Sequence, residues 1–175
     1  MFALGIDPGL TRCGYGAVVS DGGALRVVAV GHLTTSPADP VGIRLATLLD
    51  DLRALLADLR PEVVVVERVL FQTNARTAMA TGQASGLALA AAVQAGCDVV
   101  QYSPNEVKQA VAGYGSATKE QVQRMVQVLL GLADVPKPAD RADALALAIC
   151  HLSGARLRAA AAVGDGATAV TGARR

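Results

Sequence analysis

Four acidic residues adjoin apolar segments of this sequence. Asp7 follows the run FALGI, Glu67 closes the run VVVV, and Asp140 and Asp143 begin the segment DRADALALAIC. A single acid at a strand end is accounted for by a side chain that reaches solvent, but this explanation weakens when two apolar strands each carry one. Residues three apart on a helix are separated by about 60° around its axis, so Asp140 and Asp143 can face one point. The pattern therefore indicates four carboxylates that converge.

Converging carboxylates repel one another and raise one another's pKa unless a cation lies among them. Oxygen ligands without His or Cys select Mg²⁺ or Mn²⁺ over zinc or copper. Two such ions are the usual device for in-line displacement at a phosphodiester, one activating water and the other stabilising the leaving oxygen. A structural alternative exists for the helix pair, because acids are favoured in a first helical turn and Asp140 would then be an N-cap.

Composition narrows the class of partner. A chain of 175 residues suits one domain with a sizeable core, and a formal charge of +1 neither requires nor excludes a polyanionic partner. Aromatic residues make up 3 % of the chain and tryptophan is absent, whereas proteins that hold single strands by base stacking need several exposed rings. Any nucleic-acid binding is therefore expected to depend on phosphate contacts and shape.

The three cysteines, Cys13, Cys97 and Cys150, lie far apart without a Cys-x-x-Cys pair, so we expect free thiols and no structural zinc. The most apolar stretch, residues 86–93, is far shorter than the roughly 20 residues that cross a bilayer. No basic segment followed by a long apolar stretch and a cleavage site marks export. These observations predict a cytoplasmic protein.

Apolar patterning predicts the elements that position the acids. The first three strands are FALGID, GYGAVVS and ALRVVAVGHLTT, and the short glycine-containing links between them favour antiparallel pairing. Apolar residues at helical spacing from Ile43 to Leu59 predict a helix that Pro61 ends, and EVVVVE is typical of a central strand covered on both faces. Further helices and a strand (CDVVQYS) follow. This order predicts an α/β fold with a mixed sheet and helices on both faces.

Caps and composition set the later boundaries. Pro104 is expected to open one helix, Thr118 or Ser116 to cap the next, and ADRADALALAICHLSGARLRAAA to form the last. No repeat or linker divides the chain, so we predict one domain over residues 1–158. From about Ala159 the composition shifts to Ala, Gly and Thr with a basic end, which predicts a disordered tail over residues 159–175.

Four segments resemble, in order and at matching intervals, the motifs of RuvC-type crossover junction endodeoxyribonucleases. They are GIDPGLTRCGYG, VVVVERVLFQTNARTAMATGQASGLAL, YSPNEVKQAVAGYGSATKEQVQRMV and ADRADALALAICH. They are distributed over nearly all of the chain from residue 2 to about residue 157. Four collinear motifs make the resemblance highly specific.

The resemblance implies a ribonuclease-H-like fold and places the catalytic, metal-ligating acids at Asp7, Glu67, Asp140 and Asp143. It implies a homodimer that resolves four-way DNA (Holliday) junctions by paired nicks in homologous recombination and DNA repair. The implied cofactor is Mg²⁺, for which Mn²⁺ substitutes, with up to two ions per subunit. The implied partners are the branch-migration proteins RuvA and RuvB, and cleavage is expected to prefer short thymine-rich sequences.

The resemblance also places DNA contacts on basic residues. Lys108 and Lys119 match family positions that contact DNA and assist catalysis, although two lysines taken alone are ordinarily solvated surface. Arg76 is a further expected phosphate contact. Arg124 and Arg141 are candidates of the same kind, and each is equally well explained as an ordinary charge on a helix face.

One position departs from the family. After Glu67 the family carries an aromatic residue where this chain has Leu70, followed by Phe71. That aromatic residue stacks or wedges at the centre of the junction. Either Phe71 supplies the ring from the next position, or Leu70 acts as an apolar wedge.

Glycines surround the first acid and recur in the second motif. Gly5, Gly9, Gly14 and Gly16 are explained by turn geometry, or by the close approach of a phosphodiester backbone to Asp7. The small residues of TGQASG are explained by core packing, or, from the resemblance, by a dimer contact.

Two other functions compete with the nuclease. The segment GIDPGLTRCGYG also resembles the first phosphate loop of the actin, sugar-kinase and heat-shock ATPase superfamily, whose members need two such domains and a second glycine-rich acidic loop that this chain lacks. The protein is alternatively a module that binds branched DNA without cutting it. Tight ATP binding would identify the first, and junction binding without metal-dependent cleavage the second.

Overall fold

The computed structural model describes the backbone of residues 1–69 and 75–168, and the side chains of residues 1–69, 75 and 77–154. Five strands form a single sheet in the order β3-β2-β1-β4-β5. They span Phe2–Asp7 (β1), Arg12–Asp21 (β2), Ala24–Thr34 (β3), Val63–Glu67 (β4) and Asp98–Tyr102 (β5). β1, β2 and β3 pair antiparallel, whereas β4 pairs parallel with both β1 and β5. The predicted mixed sheet is confirmed.

Helices cover both faces of the sheet. They span Val41–Leu59 (α1), Ala75–Gln94 (α2), Pro104–Ala112 (α3), Lys119–Leu129 (α4) and Ala139–Thr168 (α5). α1 and α2 pack on one face, where Leu48, Leu52 and Leu56 of α1 meet the inner side chains of β1 and β4. α5, flanked by α3 and α4, packs on the other. This burial on both sides explains why the sequence of β4 shows no polar alternation.

Side-chain caps fix the starts of the two helices that precede α5. Ser103 and Glu106 form a capping box at α3, with Pro104 as its first residue. Thr118 and Gln121 form a second capping box at α4, so Thr118 rather than Ser116 is the cap. Both starts follow the sequence prediction.

α5 is the longest helix and runs to Thr168, past the predicted domain boundary at residues 158 and 159. The alanine-rich composition that suggested a tail also has the highest intrinsic helix propensity, which accounts for the longer helix. Whether the nuclease unit ends at residue 158 stays a prediction. No helix within the described ranges is long and apolar enough to cross a membrane.

Candidate active site

Two of the predicted acids end neighbouring strands at the centre of the sheet. Asp7 is the last residue of β1 and Glu67 the last residue of β4, and these strands are paired in parallel. Because side chains alternate along a strand, Asp7 lies on the same face of the sheet as Ala3, and Glu67 lies on the same face as Val65. Ala3 and Val65 both pack in the core beneath α5. Asp7 and Glu67 therefore lie side by side at the edge where α5 begins.

The N-terminal end of α5 brings the other two acids to this edge, with Asp140 in its first turn and Asp143 directly after it. Gly14, the cross-strand partner of Asp7 on β2, lies beneath it. A Cβ on Gly14 would overlap the backbone oxygen of Asp140 and lie 3.0 Å from that residue's own Cβ. Asp140 and Asp143 reach the site because glycine lets the helix approach the sheet closely.

The nearby glycines serve the same packing. A Cβ on Gly16 would lie 2.8 Å from Leu145 of α5, and one on Gly5 would overlap the backbone oxygen of Ala144. The hypothesis that these glycines admit a phosphodiester backbone is therefore wrong for Gly5, Gly14 and Gly16, because α5 occupies that space. Sequence alone cannot distinguish a glycine that admits a ligand from one that admits a helix.

The acids share one electrostatic environment. Burial raises the pKa of Asp7 from 3.8 to about 7, and the charges of Asp143 and Glu67 add to the shift. Burial and then the charge of Asp143 also raise the pKa of Glu67. The Asp140 side chain is 14 % exposed and that of Asp143 is 23 % exposed. This cluster disfavours its own negative charge, so a cation is expected to stabilise it.

Two lysines line the same cavity, which has a volume of about 300 Å³ and includes Asp7, Glu67 and Asp143 in its wall. Lys119 Nζ lies 2.6 Å from Asp143 Oδ2. Desolvation alone would lower the pKa of Lys119, but the hydrogen bond to Asp143 and the neighbouring carboxylates outweigh it, so the pKa rises. Lys108 lines the cavity from α3. The structure thus brings both predicted lysines to the acids.

The donor set suits a hard cation. The two carboxylate oxygens of Asp140 are buried and have no hydrogen-bond partner within the described residues, which is costly unless something else compensates them. As the described side chains stand, no three of them surround a common point closely enough to hold an ion, and Lys119 contacts one of the acids. The oxygen chemistry, the uncompensated carboxylate and the raised pKa values nevertheless fit Mg²⁺ or Mn²⁺.

Sequence reasoning missed an arginine at the site. Arg12 Nε lies 3.7 Å from Asp140 Oδ2, and the Arg12 side chain is 55 % exposed. The β1–β2 register places Arg12 on the same face of the sheet as Gly14, the partner of Asp7, because residues two apart on a strand share a face. The sequence does not show, however, that α5 and Asp140 pack on that face.

A second arginine holds the loop that follows Asp7. Arg44 of α1 donates from Nη2 to Thr11 Oγ1 at 2.7 Å and from Nε to Thr35 Oγ1 at 3.0 Å. Thr35 in turn donates to the backbone oxygen of Leu10 at 2.6 Å. These contacts join the β1–β2 loop to α1 and to the end of β3, and so fix the position of the loop that directly follows Asp7.

The remaining predicted contacts are less central or lie outside the description. Arg141 is half-buried and donates from Nε to His32 Nδ1 at 3.3 Å, while Arg124 is exposed on α4. Leu70 and Phe71 lie outside the described residues, as does the side chain of Arg76. The question of which residue replaces the aromatic wedge therefore stays open.

Comparisons with known proteins identify the family of the chain. Residues 3–151 match the family described as crossover junction endodeoxyribonuclease RuvC. The RuvC endonuclease of Chloroflexus aggregans is 54 % identical over 151 residues, which are 86 % of this chain and 92 % of that protein. That of Salinispora arenicola is 52 % identical over 165 residues, covering 93 % of this chain and 94 % of that protein.

Solved structures are similar as well. Thermus thermophilus RuvC in complex with a Holliday junction substrate superposes with a TM-score of 0.84 at 40 % identity, over 90 % of this chain and 96 % of that one. The yeast mitochondrial Holliday junction resolvase Ydc2 has a TM-score of 0.63 at 14 % identity, over 86 % of this chain and 78 % of that one, and so shares the fold.

Proposed function

Because this chain belongs to the RuvC family of crossover junction endodeoxyribonucleases, it is an endonuclease that resolves Holliday junctions, and we propose that its catalytic site is built from the four acids at the start of α5. These are Asp7, Glu67, Asp140 and Asp143. The observation that carries this assignment is the cavity that Asp7, Glu67 and Asp143 line together with Lys108 and Lys119. The charge of Asp140 acts on Asp7 from beside this cavity.

The family consists of metal-dependent nucleases. For this chain the proposed cofactor is Mg²⁺, with Mn²⁺ as a substitute and up to two ions per subunit, held by the same four carboxylates. Bound there, such ions supply the activation of a water molecule and the stabilisation of the leaving oxygen. Asp7, Glu67 and Asp143 line the cavity. Asp140 lies beside them, since its charge acts on Asp7, and its buried oxygens lack hydrogen bonds from the described residues.

The residues of the chain then position and stabilise the reaction. Water attacks the scissile phosphorus, the bond from phosphorus to the 3′ oxygen breaks, and that oxygen takes a proton, leaving a 5′-phosphate and a 3′-hydroxyl. No covalent intermediate with the protein forms. Lys119, kept protonated by its carboxylate neighbours, and Lys108 stabilise the charge that develops on the phosphoryl oxygens.

We also propose a homodimer formed through α2. Its outer face exposes Met79 and Val93, which are 67 % and 65 % exposed. Between them lie the exposed glycines Gly82 and Gly86, and a Cβ on either would meet nothing within 4 Å. Glycine within a helix costs about 1 kcal/mol relative to alanine, so the monomer gains nothing from these two. Close approach of a second copy of α2 explains them, and two sites then make paired nicks.

The remaining proposals follow from family membership. Arg76 contacts the DNA backbone, and Leu70 or Phe71 wedges the junction centre. RuvA and RuvB act with the protein, which works in the cytoplasm in recombination and repair, and cleavage prefers thymine-rich sequences. Residues 1–158 form the nuclease unit.

A cleavage assay tests the proposed function. An end-labelled mobile four-way junction is incubated with the protein in Mg²⁺ and, separately, in EDTA, beside linear duplex of the same sequence. We expect symmetric nicks in the junction alone, and only with Mg²⁺. Binding without nicks under any divalent metal would mean a branched-DNA binder whose acids are structural.

A further inference from the structure

Positive charge lies on both sides of the four acids, and only one side has an assigned role. Lys108 and Lys119 belong to α3 and α4, which follow the edge strand β5. Arg12 begins β2 and lies next to the opposite edge strand, β3. The acids on β1, β4 and α5 are therefore flanked by cations from two directions.

The pair of Arg12 and Asp140 is not a structural salt bridge. The distance from Arg12 Nε to Asp140 Oδ2 is 3.7 Å and the Arg12 side chain is more than half exposed, so the pair adds little to stability. Asp140 keeps both oxygens without a hydrogen bond from any described residue, Arg12 included. A well-formed arginine–carboxylate pair would instead make two short parallel hydrogen bonds. The position of Arg12 needs another explanation.

Other polar groups lie beside Arg12. Its cross-strand partner on β3 is Thr34, which is exposed. His32, two residues earlier on β3, is the partner of Gly14, and its Nδ1 accepts a hydrogen bond from Arg141 Nε at 3.3 Å. This contact holds Arg141 on the β3 side of α5. Arg12, Thr34 and Arg141 form a polar strip, here called the β3-side strip.

We propose that the β3-side strip, with Arg12 as its principal residue, binds backbone phosphates of the cleaved DNA strand on the side of the acids opposite Lys108 and Lys119. The inference rests on the proposed nuclease function and adds a second anchoring point to it. A strand anchored on one side of the scissile phosphate can still swing about that anchor, whereas contacts on both sides fix its position at the acids.

The chemistry of the strip suits this ligand. A guanidinium binds phosphate oxygens bidentately and is weakly hydrated, so an exposed arginine leaves solvent for a phosphate at low cost. Arg12 also directly follows Thr11, the residue of the short β1–β2 connection that Arg44 ties to α1, which keeps the backbone of Arg12 fixed relative to Asp7. A threonine hydroxyl and a second arginine beside it extend the contact along the strand.

The test measures junction binding in EDTA, so that no cleavage intervenes. Affinity of a fluorescent four-way junction is measured by anisotropy across a series of salt concentrations for the wild type, Arg12→Gln and Arg12→Lys. We expect Arg12→Gln to lose about three- to tenfold in affinity and to lower the salt slope by about one. Arg12→Lys should keep most of the slope because it keeps the charge. The matched control is Arg26→Gln, at the far end of the β2–β3 hairpin, which should change neither quantity.

The same substitution made in an Asp140→Asn protein distinguishes a phosphate contact by Arg12 from mere neutralisation of Asp140. If Arg12 acts only by screening that carboxylate, its removal should have no effect once Asp140 is replaced by Asn. We expect the loss from Arg12→Gln to persist in Asp140→Asn. A loss that vanishes there, or an Arg12→Gln protein that binds like the wild type, would overturn the inference while leaving the nuclease intact. Failure of the wild type to bind the junction would instead refute the proposed function.

Discussion

Asp7 occupies a place that disfavours its own charge. Burial and the neighbouring carboxylates raise its pKa from 3.8 to about 7. Between these two pH values the folded chain holds a proton that the unfolded chain has released. The contribution of Asp7 to the free energy of unfolding is therefore fully present below about pH 3.8, and it is lost as the pH rises through about 7.

This linkage predicts a pH-dependent effect of Asp7→Asn in EDTA. The variant removes the titrating group, so its stability advantage over the wild type should grow between pH 5 and pH 8, by on the order of 2 kcal/mol. Urea unfolding of both proteins at each pH measures it. An advantage that is constant with pH would mean that Asp7 ionises normally in the folded chain.

The same substitution separates chemistry from binding. An amide coordinates metal poorly but closely matches the shape of the carboxylate, so Asp7→Asn should reduce junction cleavage by at least about 10³-fold while junction affinity changes less than threefold. Gel-shift and single-turnover cleavage assays give the two numbers. Loss of both activities together would indicate that Asp7 has a folding role instead.

At the level of single residues, the sequence was informative where chemistry and pattern coincide. Asp7 and Glu67 are visible because a carboxylate interrupts an apolar strand. Arg12 was not predicted as a site residue, because its contact with Asp140 depends on how α5 packs against β2, and no local sequence pattern encodes that packing.

At the level of elements, the site depends on how closely α5 approaches β2. Gly14→Ala should displace the first turn of α5, since its Cβ would overlap the Asp140 backbone. We expect cleavage to fall at least about 100-fold, because a shift of about 1 Å in a catalytic group has an effect of this size. Single-turnover rates and circular dichroism measure the activity and the fold.

The matched control is Gly42→Ala on α1, where an added Cβ meets nothing within 4 Å. It should retain wild-type cleavage. If Gly14→Ala cuts as well as Gly42→Ala, the distance between α5 and β2 does not limit the reaction.

The elements themselves were largely predictable. The antiparallel pairing of the first three strands follows from their short glycine links, and the central place of β4 follows from its uninterrupted valines. The start of α3 at Pro104 and the cap at Thr118 follow from the side chains at those positions. The length of α5 was not predictable. Alanine and glycine after residue 158 are typical of a disordered tail, but alanine is also typical of a helix. Composition does not decide between them.

At the level of the whole molecule, the proposed homodimer would supply the two sites that paired nicking needs. Gly86→Glu places a charge on the outer face of α2 without a clash inside the monomer. Burying this charge in a dimer should weaken association by about 2 kcal/mol or more, which is roughly 30-fold. Analytical ultracentrifugation should show a shift towards monomer, and cleavage products should shift to singly nicked junctions.

Val128→Glu on α4 is the control for the dimer prediction. Val128 is 65 % exposed but lies on a helix of the opposite face of the sheet, so its substitution should leave association unchanged. Equal weakening by both variants would show that α2 is not the contact.

The position of α5 also determines how the protein is inactivated by heat. The helix that carries Asp140 and Asp143 packs against β1, β2, β3 and β4, contacts Tyr102 of β5 through His151, and buries Leu145 and Ile149 completely. A catalytic element that is also the core cannot open alone. Amides of residues 144–150 should therefore exchange with deuterium only through global unfolding, and loss of junction cleavage on heating should coincide with loss of the fold.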